Sequence, residues 1–428
     1  LKGTNKKPVI LTTGFISARD PHISPDGTKI VFAGKKNKND RWKIWMMDKD
    51  GKNKVLITKD NSNTSNTSNP SDSISPLFVG TLFHLNDKAP VGQLVYAGNA
   101  HGNFGLYSCE PDGKNPRPIS YSIHSAFAPD VLPNGRLIFS TINEGKLDLL
   151  SVNIDGTDLM AYLTHEDAPG NKTMVRVSPD GRVYFIETDD KHNPVGGKLS
   201  YVIQHRRFRS YKVLNDGVTN SGSGGLFHSP CPLPNGGLIA SYREREKNSV
   251  YALYSINKET GKKEKIVYKN PGYHCVDAHP LAKSENVKGR SSFVAHKQTM
   301  GALYCVSVYI SEITGIKNLP EGTVKQVRVF THSKKAGSRP IGTAPVEPDG
   351  SFHIKVPART PLSFELLDIN EKALGKRSGW TWVLPRESRG CIGCHQHREM
   401  AVPNRLPKAI VKPAVIINKP NAKPKSEK

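Results

Sequence analysis

Asp20-Pro21-His22-Ile23-Ser24-Pro25-Asp26-Gly27-Thr28-Lys29-Ile30-Val31-Phe32-Ala33 reads as a strand, a tight turn and a second strand. The Asp-Gly pair supplies the left-handed backbone angle that such a hairpin needs. The chain continues into Lys43-Ile44-Trp45-Met46-Met47-Asp48, turns again at Asp50-Gly51, and closes with Lys54-Val55-Leu56-Ile57-Thr58. This is a meander of four short strands bounded by turn residues.

The pattern returns along the chain. A second copy holds Leu94-Val95-Tyr96-Ala97, Gly105-Leu106-Tyr107-Ser108 and Pro111-Asp112-Gly113. A third runs from Ala128-Pro129-Asp130 through Asn134-Gly135 to Leu149-Leu150-Ser151-Val152. Val177-Ser178-Pro179-Asp180-Gly181 marks a fourth, and Pro234-Asn235-Gly236 with Val250-Tyr251-Ala252-Leu253-Tyr254 a fifth. Ala278-His279-Pro280-Leu281 with Leu303-Tyr304-Cys305-Val306 is a degenerate sixth. Spacings of roughly 45–50 residues with four strands each are those of propeller blades. The expectation is an all-β chain with a six-bladed β-propeller over 1–317, whose closure leaves no sheet edge exposed. The Ser-Pro-Asp-Gly turns resemble those of TolB-like propellers. Asn61 to Asn69, rich in Asn, Ser and Thr, reads as a polar loop inserted at blade two.

Beyond Gly322 the period changes. Thr323 to Phe330 and Ser351 to Val356 alternate apolar and polar residues, and Leu362 to Asp368 follows. These are strands of a small antiparallel β-sandwich, expected over 318–385. A short c-type haem-binding segment, 386–404, and a Lys/Pro-rich tail, 405–428, complete the expected order.

The segment Arg389-Gly390-Cys391-Ile392-Gly393-Cys394-His395 contains C-x-x-C-H, the attachment sequence of c-type haem. Two cysteines three apart reach the two vinyl groups of one porphyrin, and the adjoining histidine lies under the iron. Cys391 and Cys394 are therefore the expected covalent anchors of one haem c, and His395 the proximal iron ligand. A thioredoxin-type pair wants a βαβ context, and a zinc ribbon wants a second C-x-x-C; the sequence has neither. His353 is the first candidate for the sixth iron position, because its neighbours Phe352, Ile354 and Val356 point the other way along a strand. His228, His274 and His279, at the starts of blades five and six, are alternatives. His397 and Met400 lie too close to His395 to cross the ring. His228, Cys231, His274, Cys275 and His279 also form a looser set able to hold zinc or copper, though no spacing in it matches a metal motif. Cys109, Cys231, Cys275 and Cys305 allow three disulfide pairings or free thiols.

The balance of 61 Lys and Arg against 38 Asp and Glu gives a net charge of +23, which favours acidic partners. Without a basic helix or an RNA-binding motif, an acidic protein surface is a better match than nucleic acid. No apolar run approaches the roughly 20 residues of a transmembrane helix. The phosphate loop, the nucleophile elbow and HExxH are not found. Covalent haem attachment implies export, to a periplasm or an anammoxosome-like compartment. The start at Leu1 reads as a mature chain whose signal peptide has been removed.

Val346-Glu347-Pro348-Asp349-Gly350-Ser351, Lys355-Val356-Pro357-Ala358, Leu366-Leu367-Asp368, Arg377-Ser378 and Gly390 to His395 together resemble the C-terminal part of hydrazine synthase alpha subunits, most specifically over 345–396. The resemblance implies a propeller followed by a second haem that is held by two histidines and passes electrons. Cys391, Cys394 and His395 match that haem's attachment site. The single C-x-x-C-H corresponds to that electron-transfer haem and to none other in the family. The expected role is an accessory, cytochrome-like subunit that docks into and helps assemble a multiprotein respiratory complex of the nitrogen cycle, with assembly into an oligomer or filament as a further expectation. The alternatives are a haem enzyme acting on a small nitrogen compound or peroxide at an open iron, and a purely structural subunit.

Overall fold

A computed structural model describes residues 8–59, 70–84, 87–100, 102–143, 145–189, 195–214, 224–246, 248–285, 287–311, 316–393, 399 and 404–417. The insertion expected at Asn61 to Asn69 lies outside them. Apart from one 3-10 turn at Gln204–Arg206, every element is a strand. The chain divides into two compact units. The first comprises Leu1–Ile119, His124–Asp155 and Met160–Ser291; the second comprises Ser120–Ile123, Gly156–Leu159 and Ser292–Lys428.

Among the described residues the first unit contains five four-stranded meanders, here blades 1 to 5. Blade 1 is Ser17–Ile23, Lys29–Lys35, Lys43–Asp48 and Val55–Leu56, hydrogen-bonded in that order. The other blades begin with the inner strands Asp72–His84, Ala126–Val131, Asn171–Val177 and Leu226–Pro232 and repeat the same order. The turn read from Ser24 to Gly27 recurs as one structure. Gly27, Gly135, Gly181 and Gly236 donate back to Ser24, Leu132, Ser178 and Leu233, each at 2.8–3.0 Å. All four glycines have φ between 73° and 82°, where a Cβ is strained.

Successive blades bury apolar faces against each other. Val31, Ala33 and Ile44 of blade 1 meet Leu94 and Tyr96 of blade 2; Ile138 and Leu149 of blade 3 meet Val183 and Phe185 of blade 4; Tyr184 and Leu199 of blade 4 meet Phe227 and Ala240 of blade 5. Alternation along each strand makes this two-sided packing possible.

Each inner strand carries a bulge whose first residue is left-handed: Asp20, Ser75, Ala128, Met174 and Ser229, with φ from 42° to 53°. In four of the five the next residue is proline: Pro21, Pro76, Pro129 and Pro230. Proline cannot donate to a ladder, so within a sheet it belongs at such a bulge.

The sixth copy departs from the expectation. Its first stretch keeps the left-handed residue, Asp277 with φ 55°, at the matching place. No second, third or fourth strand of its own follows among the described residues. Arg290–Ser292 instead joins the sheet of blade 2 at its inner edge, and the strand Met300–Cys305, read as part of blade six, lies in the sandwich. The physical reason is local. Residues 282–290 are mostly polar, with no Asp-Gly turn and no alternating run, whereas Met300–Cys305 finds six paired positions on Phe352–Pro357.

The second unit is two four-stranded sheets, one ordered Ser388–Cys391, Met300–Cys305, Phe352–Pro357, Val415–Ile416, the other Gly337–Pro345, Gln326–Ser333, Leu362–Leu367, Ala373–Leu374. Leu303, Ile354, Val356, Val327, Val329 and Leu366 fill the space between them. Buried Trp382 donates to the Gly156 carbonyl at 2.9 Å and meets Tyr121 edge-on. The division at 291/292 places the expected boundary at 317/318 inside this unit.

Candidate haem-attachment site

The strand Ser388–Cys391 runs parallel to Met300–Cys305, with Tyr304 opposite Gly390 and Cys305 opposite Cys391. Beyond the strand, the N–H groups of Val306 and Ser307 donate to the carbonyls of Cys391 (2.9 Å) and Ile392 (3.1 Å). The backbone entering C-x-x-C-H is thereby fixed to the sandwich while the Cys391 side chain is exposed. Two glycines make this course possible. A Cβ at Gly390 would lie 2.5 Å from the Tyr304 ring, and one at Gly393 would overlap the Ile310 carbonyl oxygen. Cys394 and His395 lie outside the described residues. Their partner Cys391 fits a covalent anchor: an outward thiol on a rigid strand, followed by a close turn that only glycine can make. Nothing in the described part disagrees with a thioether-linked porphyrin.

His353 stands opposite Tyr304 on the neighbouring strand, so His353, Tyr304 and Gly390 form one cross-strand row. The His353 ring meets Tyr304 edge-on at 6.4 Å, and its Nδ1 lies 3.4 Å from the Lys412 carbonyl oxygen. Phe352, Ile354 and Val356 enter the core while His353 is half-buried on the other face.

The alternative histidines belong to the first unit. His228 precedes the bulge of blade 5, with Nδ1 2.5 Å from the Ser229 hydroxyl. His274 accepts from the Tyr251 N–H at 3.1 Å. His279 lies at the propeller axis, its ring 5.6 Å from that of His22. Among the described residues, no three His, Cys, Asp or Glu side chains are grouped to hold a metal ion. The Cys275 Sγ faces the Tyr273 carbonyl, and burial pushes the Cys231 thiol up to about 12, keeping it protonated. Cys109, Cys231 and Cys275 are free thiols.

The axis itself escaped the motif search. Arg176 of blade 4 pairs with Asp277 at 3.0 Å, and His279 Nε2 lies 3.6 Å from the same carboxylate. Burial alone would raise the Asp277 carboxyl; His279 and Arg176 outweigh it and hold it well below the usual range. Burial, assisted by His279 and Arg176, lowers His22 to about 3, and burial lowers His228 to about 4, so both are neutral. His22 Nδ1 accepts from the Phe78 N–H at 3.3 Å, which leaves Nε2 as the protonated nitrogen. The signal was present: Asp20-Pro21-His22 and Asp277-Ala278-His279 are the same position in two repeats.

A propeller-type ring of meanders and a sandwich bearing one exposed cysteine, Cys391, define the class. Residues 317–396 match the family model described as the hydrazine synthase alpha subunit middle domain. A curated relative, hydrazine synthase subunit alpha of Kuenenia stuttgartiensis, is 22% identical over 521 aligned positions, covering 95% of this chain and 63% of the relative. The solved hydrazine synthase of that organism superposes with a TM-score of 0.80 at 20% identity, over 94% of this chain and 66% of that one. TolB from Acinetobacter baumannii overlaps 56% of this chain, at 17% identity and a TM-score of 0.37. The resemblance to hydrazine synthase alpha subunits is borne out, and the chain spans less than two-thirds of the length of the hydrazine synthase relatives it matches.

Proposed function

We propose that this chain is an exported, monohaem c-type cytochrome-like subunit that passes electrons within a multiprotein complex of nitrogen metabolism. The observation that carries the reading is Cys391, exposed at the end of a strand locked to the sandwich and followed by a turn closed by Gly393. Cys391 and Cys394 would hold the porphyrin through thioethers, His395 would bind its iron, and His353, two strands away on the same sheet, is the first choice for the opposite side. The bound haem would supply reversible one-electron exchange. The chain's own part would be to fix the anchor, pack Tyr304 beside Gly390 and His353, and orient His353 from the Lys412 carbonyl. The net charge of +23 supports docking on an acidic surface. The match of residues 317–396 supports placement in a complex like that of the hydrazine synthases.

The test is intact mass together with a visible spectrum of the exported protein. One covalent haem, low-spin and unchanged by carbon monoxide, is the expected result. A high-spin haem that binds carbon monoxide would favour catalysis at an open iron. A protein that assembles without covalent haem would leave a structural subunit.

A further inference from the structure

Among the described residues, the sixth sector of the propeller contains one inner segment where the others contain four strands. That segment, 275–281, keeps the left-handed residue of every inner strand and is tied to the axis through Asp277 and Arg176. Its other edge is bare. Among the described residues, the backbone–backbone bonds of 275–284 are those from Cys275 N–H to the Tyr251 carbonyl and from Ser284 N–H to the Pro25 carbonyl. The segment is not paired as a strand, and the amides of 276–279 and 281–283 have no backbone partner among the described residues, which leaves them open to an added strand. The side chains along it are apolar and exposed: Tyr273 by 74%, Val276 by 41% and Leu281 by 52%.

The walls of the sector agree. Blade 5 turns Leu238, Ala240 and Tyr242 toward blade 4. Its opposite face presents Ile239, Leu253 and Tyr268, all half-buried and brought together by the register of the three outer strands. On the far side, Leu11 and Phe15 cover Ile30, Phe32 and Met47 of blade 1, and the outward residues of that arm, Val9, Ile10 and Ile16, are exposed. The rim is basic. Lys262, Lys265, Lys269 and Lys283 are exposed there, against Glu264 and Glu285; Glu259 and Asp277 are already paired with Arg182 and Arg176.

We infer that the sixth sector is completed by an extended, acid-rich segment of another polypeptide, which adds to the edge of 275–281 and lays apolar side chains on Ile239, Leu253 and Tyr268. A second copy of this chain would bring another large positive charge to a basic rim and is the poorer occupant. The inference rests on the reading that the chain works inside a multiprotein complex, and it locates one partner on the propeller.

Hydrogen exchange read by mass spectrometry tests it, comparing the chain purified alone with the chain in its native assembly. The amides of 276–281 should exchange almost unprotected in the isolated chain and at least about tenfold more slowly in the assembly, together with those of Lys263–Tyr268. The double variant Val276→Asp, Leu281→Asp changes only exposed side chains; its melting temperature should hold while it fails to enter the assembly. Equal exchange in both samples overturns the inference, as does slow exchange in the isolated chain, which would mean that its own residues cap the edge. Native material with the mass of a single chain would instead remove the assembly reading, and this inference with it.

Discussion

Replacing Asp277 by Asn isolates the charge at the propeller axis. Asparagine adopts left-handed backbone at least as readily as aspartate, so the φ of 55° at this position is retained. What is lost is the counter-charge of Arg176, 3.0 Å away, in a pair whose side chains are only 22% and 21% exposed. Removing one partner of a fully buried pair costs about 3–5 kcal/mol. Water reaches a fifth of each side chain here, and Asp130 still lies near Arg176, so about 2–3 kcal/mol is the expected loss. For a unit of this size that corresponds to a fall of roughly 3–5 °C in melting temperature. The assay is thermal unfolding by circular dichroism, completed as a cycle with Arg176→Met and the double variant. The double variant should recover much of the loss, because no unpaired charge then remains at the axis. A fall below about 2 °C for Asp277→Asn, or strictly additive single and double variants, would refute a coupled pair at the centre.

Two further outcomes follow from the same structure. Because His22 and His228 are lowered to about 3 and 4 in the fold, their contribution is complete above about pH 6.5 and lost as pH falls below it, by up to roughly 1.4 kcal/mol per pH unit for each; urea midpoints should drop between pH 6.5 and 4, and His22→Gln should flatten that slope. Gly393→Ala sets a Cβ against the Ile310 carbonyl and should destabilise the attachment turn by about 1–3 kcal/mol, lowering the fraction of chain that carries covalent haem by intact mass; Gly390→Ala meets only the Tyr304 ring and should do less.

The propeller was legible because its signals are local. An Asp-Gly or Asn-Gly pair forces one kind of turn, and a proline within an alternating run forces a bulge, so Ser24 to Gly27 and Asp20-Pro21 each state their geometry in a few residues. The sixth blade misled for the complementary reason. Leu303-Tyr304-Cys305 has strand composition, but composition does not say which sheet a strand joins, and the ladder to Phe352–Pro357 lies some fifty residues further along the chain. His353 could be placed on the outer face by alternation alone, and the structure has it there. Its row with Tyr304 and Gly390 depends on a parallel pairing that no local pattern encodes. The axial cluster is the clearest omission: each member looks ordinary in its own repeat, and only superposing the repeats aligns His22 with His279 and Asp20 with Asp277.

That superposition also explains why the sixth repeat retains its inner segment although no further strands of its own follow among the described residues. In the complete blades, the inner strand contributes a left-handed residue to the axis, while the outer strands contribute surface to neighbouring faces. The two contributions are separable. Without Asp277 the Arg176 guanidinium would keep the Val175 carbonyl and the more distant Asp130 and Asp20, a charge the interior tolerates poorly. Without the outer strands, the first unit merely leaves an apolar face half-exposed and an edge unpaired, both of which another polypeptide can cover. The electrostatic need falls on residues 275–281 and the geometric opening lies beside them, so the same sector that holds the axis together is the one left free for a partner.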